Sequence, residues 1–356
     1  MAIGSWTSPP SETAGARTMT AIVQDRYGPA PEDVLRLARV GAVSIGDGEV
    51  LVRVHAASVD RGTWHVMSGL PYPIRLAGFG LHRPKYANPG RGLAGTVEAV
   101  GDAVRGFVRG DEVFGFGNAA FAEYAAAPVG KLAAKPANLT FEQAAAVPVS
   151  GLTALQAVRD HGRIGVGQRV LVIGASGGVG SFAVQIAKAC GAEVTGVASG
   201  AKLDLVRALG ADSVVDYNRE DFADGRYRYD VVLDIGGNTR LSRLRRALTP
   251  RGRLVIVGGE TDGRLLGGSS RQVRAQMLSL FVGEQLGTFI AKENADDLIA
   301  LRELIEAGAV TPAIDRTYPL AEASAAIRHL MNGRARGKVV VITPATTRNH
   351  NSRSTT

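Results

Sequence analysis

The stretch VLVIGASGGVG, residues Val170–Gly180, decides the fold of this chain. Its four branched residues predict a strand that is buried on both faces of a parallel sheet. The turn after them leads into Ser181–Cys190, where apolar residues at three- and four-residue spacing predict a helix. Glycines let a backbone approach a pyrophosphate closely, and a helix N-terminus presents unbonded N–H groups to its charge. A second strand, Glu193–Ala198, follows at the expected distance, so we predict a dinucleotide site rather than a plain tight turn. The site comprises Gly174, Ser176, Gly177, Gly178, Val179 and Gly180.

Length and composition indicate a two-domain globular protein. The chain has 356 residues, of which 45% are hydrophobic and 21% charged, and this balance permits a large core. Its net charge of +8 is spread along the sequence without a basic stripe interleaved with aromatics, so we expect no nucleic-acid partner. No apolar stretch is long enough to span a bilayer, which predicts that there is no membrane partner. A small-molecule substrate remains the expected partner.

The single cysteine, Cys190, excludes a disulfide within the chain and favours a cytoplasmic location. It lies on the apolar face of the predicted helix, where a small buried hydrophobe is more typical than a nucleophile. Residues 1–18 lack the apolar core of a signal peptide and predict a disordered N-terminal extension. Residues 344–356 predict a disordered tail.

Two kinds of pattern divide the chain into domains. Residues 19–149 contain short alternating strands that are separated by Gly, Pro and Asp, which predicts a mostly antiparallel β domain. In residues 150–290 strands and helices alternate, which predicts a doubly wound parallel sheet and an α/β fold class. Residues 291–343 carry a helix and further strands that predict a return to the first domain.

Several segments resemble the medium-chain dehydrogenases/reductases, in particular their zinc-independent quinone oxidoreductase branch. The resemblance covers residues 19–343 and rests on the turn Gly174–Gly180 and on Arg91–Gly106, Gly110–Gly117, Phe121–Ala125, Tyr229–Gly237, Asp315–Leu320 and Gly337–Val340. It implies a GroES-like catalytic domain, a Rossmann domain that binds NADP, and a cleft between them where nicotinamide meets substrate. It also implies a homodimer formed through sheet edges of the cofactor domain.

The residues at the zinc positions of the family differ in this chain. Asp60 stands where the first cysteine ligand would be, Gly90–Gly92 replace a Gly-His-Glu segment, and Ser150 falls near the remaining ligand. Catalytic zinc needs three protein ligands, so we predict no metal. His55 and His65, which we expect in or beside a strand, are more typical of hydrogen-bonded polar side chains than of ligands.

The end of the second strand of the parallel sheet predicts NADPH as the cofactor. An NAD site has an acidic residue there, whereas this chain has Ala198–Gly200, followed by Lys202. The hydroxyl of Ser199 and the ammonium of Lys202 are suited to bind a phosphate. Tyr217 resembles the tyrosine that contacts the same phosphate in this branch. The alternative is that Lys202 is a solvated residue at the start of a helix.

Further cofactor contacts are expected from position and resemblance. Thr153 is expected near the nicotinamide. Gly258 and Gly259 follow the fifth strand, at the edge where ligands bind. Phe289 and Lys338 resemble late cofactor contacts of the family.

The expected reaction is NADPH-dependent reduction of a quinone or an α,β-unsaturated carbonyl. Without a metal to stabilise an alkoxide, an acceptor that spreads its charge onto a hydrogen-bonded oxygen is better suited than a simple alcohol. Asp60 and Thr63 align with an Asn-x-x-Asp pair of this branch, Gly92 replaces a common Asp, and Tyr72 is a candidate donor or a packed loop aromatic. Two alternatives remain: an alcohol dehydrogenase that uses residual ligands, and an NADPH-binding sensor or structural protein without turnover.

Overall fold

The computed structural model describes residues 18–258 and 269–343, and the predictions for residues 1–17, Gly259 and 344–356 lie outside them. Thr18, which the sequence placed in the disordered extension, is the first residue of a strand. The described strands are β1 Thr18–Val23, β2 Arg36–Gly41, β3 Glu49–Val59, β4 Gly92–Val100, β5 Glu112–Phe116, β6 Tyr124–Pro128, β7 Leu132–Ala134, β8 Arg169–Ile173, β9 Glu193–Ala198, β10 Ser213–Asp216, β11 Tyr229–Asp234, β12 Leu248–Ile256, β13 Gln285–Thr288, β14 Ile314–Pro319 and β15 Lys338–Ile342.

Helices and single turns connect these strands. The described α-helices are α1 Pro31–Val34, α2 Arg61–Ser68, α3 Phe141–Ala145, α4 Pro148–Gln156, α5 Gly178–Ala189, α6 Leu203–Ala208, α7 Leu241–Ala247, α8 Ser269–Ser279, α9 Ala295–Glu306 and α10 Ala323–Met331. Short 3₁₀ or π turns lie at Arg75–Phe79, Val129–Lys131, Ala157–Gly162, Gly200–Lys202 and Leu320–Glu322.

Strands β8–β13 form the doubly wound parallel sheet that the alternating pattern predicted. Its order is β10-β9-β8-β11-β12-β13, and every neighbouring pair is parallel. The strand order reverses between β8 and β11, and ligands of open α/β sheets bind at the carboxyl ends of the strands at such a point. The turn after β8 therefore lies where a dinucleotide is expected.

A second, mainly antiparallel sheet carries the catalytic domain. Its order is β14-β15-β3-β4-β5-β7, with β6 also paired to β3, while β1 and β2 form a separate hairpin. Strands β14 and β15 come after the parallel sheet in sequence but belong to this one, so the chain returns to its first sheet. This confirms an α/β fold with a β domain and a doubly wound sheet, whereas the domain boundaries at residue level stay a prediction.

One helix of the catalytic domain differs from the sequence expectation. Residues Arg61–Ser68 form α2, so His65 lies in a helix and not in or beside a strand. Asp60 adopts an extended conformation at the N-cap, and Gly69 ends the helix with a φ of 64°, a left-handed conformation that favours glycine. This helix directly follows β3 and places Asp60 at the junction of the two elements.

Candidate cofactor and active site

The glycine-rich turn after β8 is shaped by close backbone approaches. Gly174 has a φ of 85°, and a Cβ added there would lie 2.9 Å from the backbone nitrogen of Gly236. A Cβ on Gly180 would lie 2.1 Å from the carbonyl oxygen of Gly174, so α5 packs on the turn at a distance that only glycine permits. Val179 is partly buried and packs against the main hydrophobic core, which holds the start of α5 in place.

The N-terminus of α5 presents backbone N–H groups at this turn. Gly177 is the N-cap residue and makes no side-chain capping hydrogen bond. The carbonyl of the buried Ser176 accepts a 2.9 Å hydrogen bond from the Gly337 N–H, which joins the turn to the segment before β15. A side chain on Gly178 would fill the cradle, since its Cβ would lie 3.0 Å from Ser150 Oγ and 3.1 Å from Lys338 Cδ. The turn therefore fits the pyrophosphate of a dinucleotide.

The end of β9 is joined to the loop that precedes β15. Lys202 Nζ donates to the carbonyls of Gly333 at 2.7 Å and Ala335 at 2.9 Å. Burial lowers the pKa of Lys202, and the nearby Arg336 lowers it further, while Asp315 opposes the shift. Lys202 is thus not the solvated residue of the alternative interpretation, since it fastens the cofactor domain to the returning segment.

Ser199 directly follows β9, and Tyr217 directly follows the neighbouring strand β10. Ser199 is half-buried and precedes the turn Gly200–Lys202. Tyr217 is exposed, and its backbone N–H donates to the carbonyl of Ala198 at 3.2 Å. A tyrosine ring at the rim is therefore available to a bound ligand.

Asp216 is a residue that the sequence reasoning missed. Its buried carboxylate, at the end of β10, lies 2.7 Å from the position that a Cβ on Gly200 would occupy. One carboxylate oxygen accepts from the backbone and side-chain nitrogens of Asn218, each at 3.1 Å. The end of β9 itself thus carries no acidic residue, but the end of the neighbouring strand β10 carries Asp216. The strand order could have indicated this contact, because β10 pairs with β9.

A buried ion pair joins two residues that the sequence assigned to different tasks. Lys338 Nζ donates to Asp60 Oδ1 and, at 3.0 Å, to Ser150 Oγ. Ser150 Oγ donates in turn to Asp60 Oδ1 at 3.0 Å, and Ser58 Oγ donates to Asp60 Oδ2 at 2.6 Å. Lys338 is only 2% exposed and Asp60 8%. A charge pair so well hydrogen-bonded is the arrangement in which buried charges persist in a protein.

Of the other two catalytic candidates, one supports the ion pair and the other lies in the following loop. Thr63 Oγ1 accepts a hydrogen bond from the backbone N–H of Asp60 at 3.2 Å, so it stabilises the start of α2. Tyr72 is 41% exposed, and the Arg75 guanidinium lies 4.9 Å from its ring centre. The same guanidinium lies over the ring of Tyr27, which makes Tyr72 part of a stacked cluster.

The remaining predicted cofactor residues are held by local contacts. The hydroxyl of Thr153 donates to the Val149 carbonyl one turn back at 2.7 Å. Phe289 stacks on His161 with ring centres 4.1 Å apart. The carbonyl of Gly258 accepts from Arg271 Nη2 at 3.0 Å, which ties α8 to the carboxyl edge of the sheet.

The histidines weighed as metal ligands have other partners. His55 stacks on Phe141 and its Nε2 lies 3.0 Å from Thr96 Oγ1, while His65 Nδ1 lies 2.7 Å from the Leu70 carbonyl oxygen. In residues 18–258 and 269–343, no three or more His, Cys, Asp or Glu side chains are grouped to hold a metal ion. The prediction of a metal-free site stays a prediction.

Comparison with known proteins places this geometry in a family. Residues 46–137 match the alcohol dehydrogenase GroES-like domain, and residues 209–341 match a domain described as zinc-binding dehydrogenase. The chain is 33% identical to the mitochondrial NAD(P)H oxidoreductase RTN4IP1 of Mus musculus, over 92% of this chain and 90% of that protein. It is 31% identical to the quinone oxidoreductase of Homo sapiens, over 92% and 99% of the two chains.

Among solved structures, the quinone oxidoreductase from Coxiella burnetii superimposes with a TM-score of 0.78 at 28% identity. The match covers 92% of this chain and 100% of that one. No helix among the described residues is long and apolar enough to cross a membrane. Together, the two matched domains, the relatives and the shared architecture show that the chain belongs to the medium-chain dehydrogenase/reductase family and is an oxidoreductase of the quinone oxidoreductase-like type, with a nicotinamide cofactor.

Proposed function

We propose that the protein reduces a quinone or an α,β-unsaturated carbonyl with NADPH and without a metal ion. The observation that carries the proposal is the glycine cradle at the start of α5, which faces the buried Lys338–Asp60 pair of the catalytic domain. When bound, the nicotinamide supplies the hydride. The chain's own task is to fix the dinucleotide, orient the acceptor and donate to the oxygen on which charge develops.

The preference for NADPH is supported by cations around the end of β9. Lys202 lies beside the returning segment, and Arg336 reaches across from it to the Ala201 carbonyl at 3.1 Å and to Asp204 at 2.5 Å. Two cations around the turn that follows Ser199 suit a 2′-phosphate. The negative charge of Asp216 disfavours a phosphate at this position. One of its carboxylate oxygens, however, already accepts a hydrogen bond from the Asn218 side chain.

Charge reversal at Lys202 tests the cofactor preference. Loss of the Lys202 hydrogen bonds to Gly333 and Ala335 affects both cofactors alike, so we expect Lys202→Glu to lower kcat/KM for NADPH about a hundredfold more than kcat/KM for NADH. Arg207→Glu, an exposed reversal on α6, is the matched control and should change neither value. A wild-type preference for NADH would contradict the proposal.

Tyr72 is the proposed donor to the acceptor. Tyr72→Phe keeps the ring against Arg75, so stability should stay unchanged while turnover falls about a hundredfold if the hydroxyl delivers the proton. Tyr86→Phe, in the same loop and edge-on to Phe79, serves as control. Unchanged turnover of Tyr72→Phe would assign Tyr72 to packing alone.

A panel of electron acceptors distinguishes the proposed activity from its alternatives. We expect loss of NADPH absorbance with quinones and enones, at equal rates with and without a metal chelator. Activity on simple alcohols that the chelator abolishes would indicate an alcohol dehydrogenase. Tight NADPH binding without oxidation by any acceptor would indicate a binding protein.

We also propose that the protein forms a homodimer through the cofactor domain. Within the described residues, β13 has no partner strand on its outer edge, and such an edge can pair with a second copy across a two-fold axis. Large apolar side chains nearby are exposed, namely Val273, Met277, Leu280 and Phe281. Phe281→Glu should shift the mass measured by light scattering from dimer to monomer.

The cytoplasmic location stays a prediction.

A further inference from the structure

The Lys338 ammonium donates hydrogen bonds to two acceptors among the described residues, although it can donate three. Its acceptors are Asp60 Oδ1 and Ser150 Oγ, and Asp60 is further held by Ser58. The lysine and the aspartate belong to the catalytic sheet and to the start of α2, whereas Ser150 belongs to α4, beside the cofactor domain. The cluster therefore spans the boundary between the two sheets.

The same ammonium lies next to the proposed pyrophosphate site. Nζ of Lys338 is 3.8 Å, and its Cδ 3.1 Å, from the position that a Cβ on Gly178 would occupy. Gly178 is the first residue of α5, and within the described residues the N-cap Gly177 supplies no side chain to cap the first N–H groups. A pyrophosphate bound to those N–H groups would lie within a few ångströms of the ammonium.

A pyrophosphate bound at the start of α5 would compete with Asp60 for the Lys338 ammonium. Asp60 carries one negative charge and the pyrophosphate two, and attraction between charges in a buried site exceeds that in water. Asp60 already accepts from Ser58 and Ser150. The carboxylate thus keeps hydrogen-bond donors when the lysine leaves, which lowers the cost of separating the pair.

We propose that Lys338 exchanges partners, pairing with Asp60 in the absence of dinucleotide and with the pyrophosphate in its presence, so that cofactor binding leaves the Asp60 carboxylate held by Ser58 and Ser150 alone. This inference rests on the proposed function, since it needs a dinucleotide at the start of α5. Asp60 is then a positioning residue that sets cofactor affinity and couples it to the N-terminus of α2. A permanent ion pair would instead be a fixed clamp between the domains.

Titration of the full-length protein with NADPH distinguishes exchange from a fixed clamp. Asp60→Asn removes the competitor and leaves a buried lysine that only the cofactor can neutralise. Under exchange, the Kd for NADPH falls about tenfold, and the protein without cofactor melts at a lower temperature that NADPH restores toward the wild-type value. Under a fixed clamp, the variant melts lower with and without NADPH, and its Kd is unchanged or higher.

Asp297→Asn is the matched control for this variant. Asp297 is also a buried aspartate paired with a basic side chain, Arg159, but it lies on α9. The same substitution should lower the melting temperature and leave the Kd for NADPH unchanged. A similar gain in affinity for Asp297→Asn would overturn the assignment to Lys338.

A double variant keeps the inference testable even where Asp60→Asn does not fold. Lys338→Met should weaken NADPH binding, and Asp60→Asn/Lys338→Met, which buries no unpaired charge, should bind as weakly as Lys338→Met alone. Tighter binding by the double variant would mean that Asp60 acts on the cofactor without Lys338. Wild-type protein that binds neither NADPH nor NADH would refute the proposed function itself, whereas NADPH binding that is indifferent to Asp60 would refute the exchange alone.

Discussion

At the scale of single residues, the glycine turn shows how little room the cofactor site leaves for side chains. A Cβ on Gly180 would lie 2.1 Å from the Gly174 carbonyl oxygen, and both groups belong to backbone that cannot move independently. We expect Gly180→Ala to lower the free energy of unfolding by about 1–3 kcal/mol because α5 would have to move away from the turn. Urea denaturation measures this change.

Gly177→Ala is the control for that substitution. Its added Cβ would meet the Gly174 carbonyl oxygen at 3.4 Å, an ordinary contact. The two variants differ only in which glycine carries the methyl group. Equal stability of both would show that α5 does not depend on the close approach.

Thr63 gives a second prediction at this scale. Thr63→Val keeps the shape of a side chain that is 3% exposed but removes the acceptor of the buried Asp60 N–H. We expect unfolding to become easier by about 1–2 kcal/mol. Thr63→Ser, which retains the hydroxyl, should recover most of the loss, and its failure to do so would show that packing of the methyl group dominates.

The role of the glycines in the turn could be predicted from the sequence, whereas the contacts between residues far apart in the chain could not. Gly174, Gly177 and Gly180 follow from local spacing between a strand and a helix. The contact of Lys338 with Asp60 joins residues 278 positions apart, and it requires β15 to lie beside β3. Nothing local in either segment specifies that pairing.

At the scale of elements, strong periodicity was informative and short helices were not. Strand β9 was predicted with its observed bounds, because branched residues flanked by turn residues define it. Helix α2 was missed because its Arg61–Ser68 segment continues directly from a long strand with only the N-cap Asp60 between them. The N-cap Asp60, followed by Gly69 nine positions later, was the available signal.

The segment after β13 is fastened to the catalytic domain by an ion-pair network, which predicts an acid-sensitive contact. Glu293 Oε2 accepts from Arg91 at 2.6 Å and from Lys131 at 2.7 Å. Burial alone would raise the pKa of Glu293, but Arg91 and Lys131 outweigh it and lower the pKa from its ordinary value of 4.5. The network therefore stabilises the fold above about pH 4.5, and this contribution is lost as the pH falls through the lowered pKa.

Glu293→Gln tests this contact. We expect unfolding to become easier by about 1 kcal/mol at pH 7, a modest value because the three side chains are partly exposed, with a smaller difference from wild type below pH 4. Glu98→Gln, which alters the surface pair with Arg109, should change stability much less. A Glu293→Gln effect that grew toward low pH would contradict the assignment.

At the scale of the whole molecule, the fold class and family were predictable because many motifs occur in a fixed order along 19–343. The alternation of strands and helices specified a parallel sheet, and the helix and strands of residues 291–343 indicated a return to the first domain. How the two sheets meet was not predictable. Contacts such as those of Lys202 with Gly333 and Ala335 depend on loops whose placement only the folded chain defines.

The backbone hydrogen bond from the Gly337 N–H to the Ser176 carbonyl has a consequence for synthesis of the protein. The glycine turn and its helix emerge from the ribosome some 160 residues before the strand that completes their surroundings. A nascent chain can therefore form the parallel sheet early, yet it cannot close the nucleotide cradle until Lys338 has been translated. We expect ribosome-bound chains that end before β15 to resist proteolysis in the parallel sheet while failing to be retained on an immobilised nucleotide.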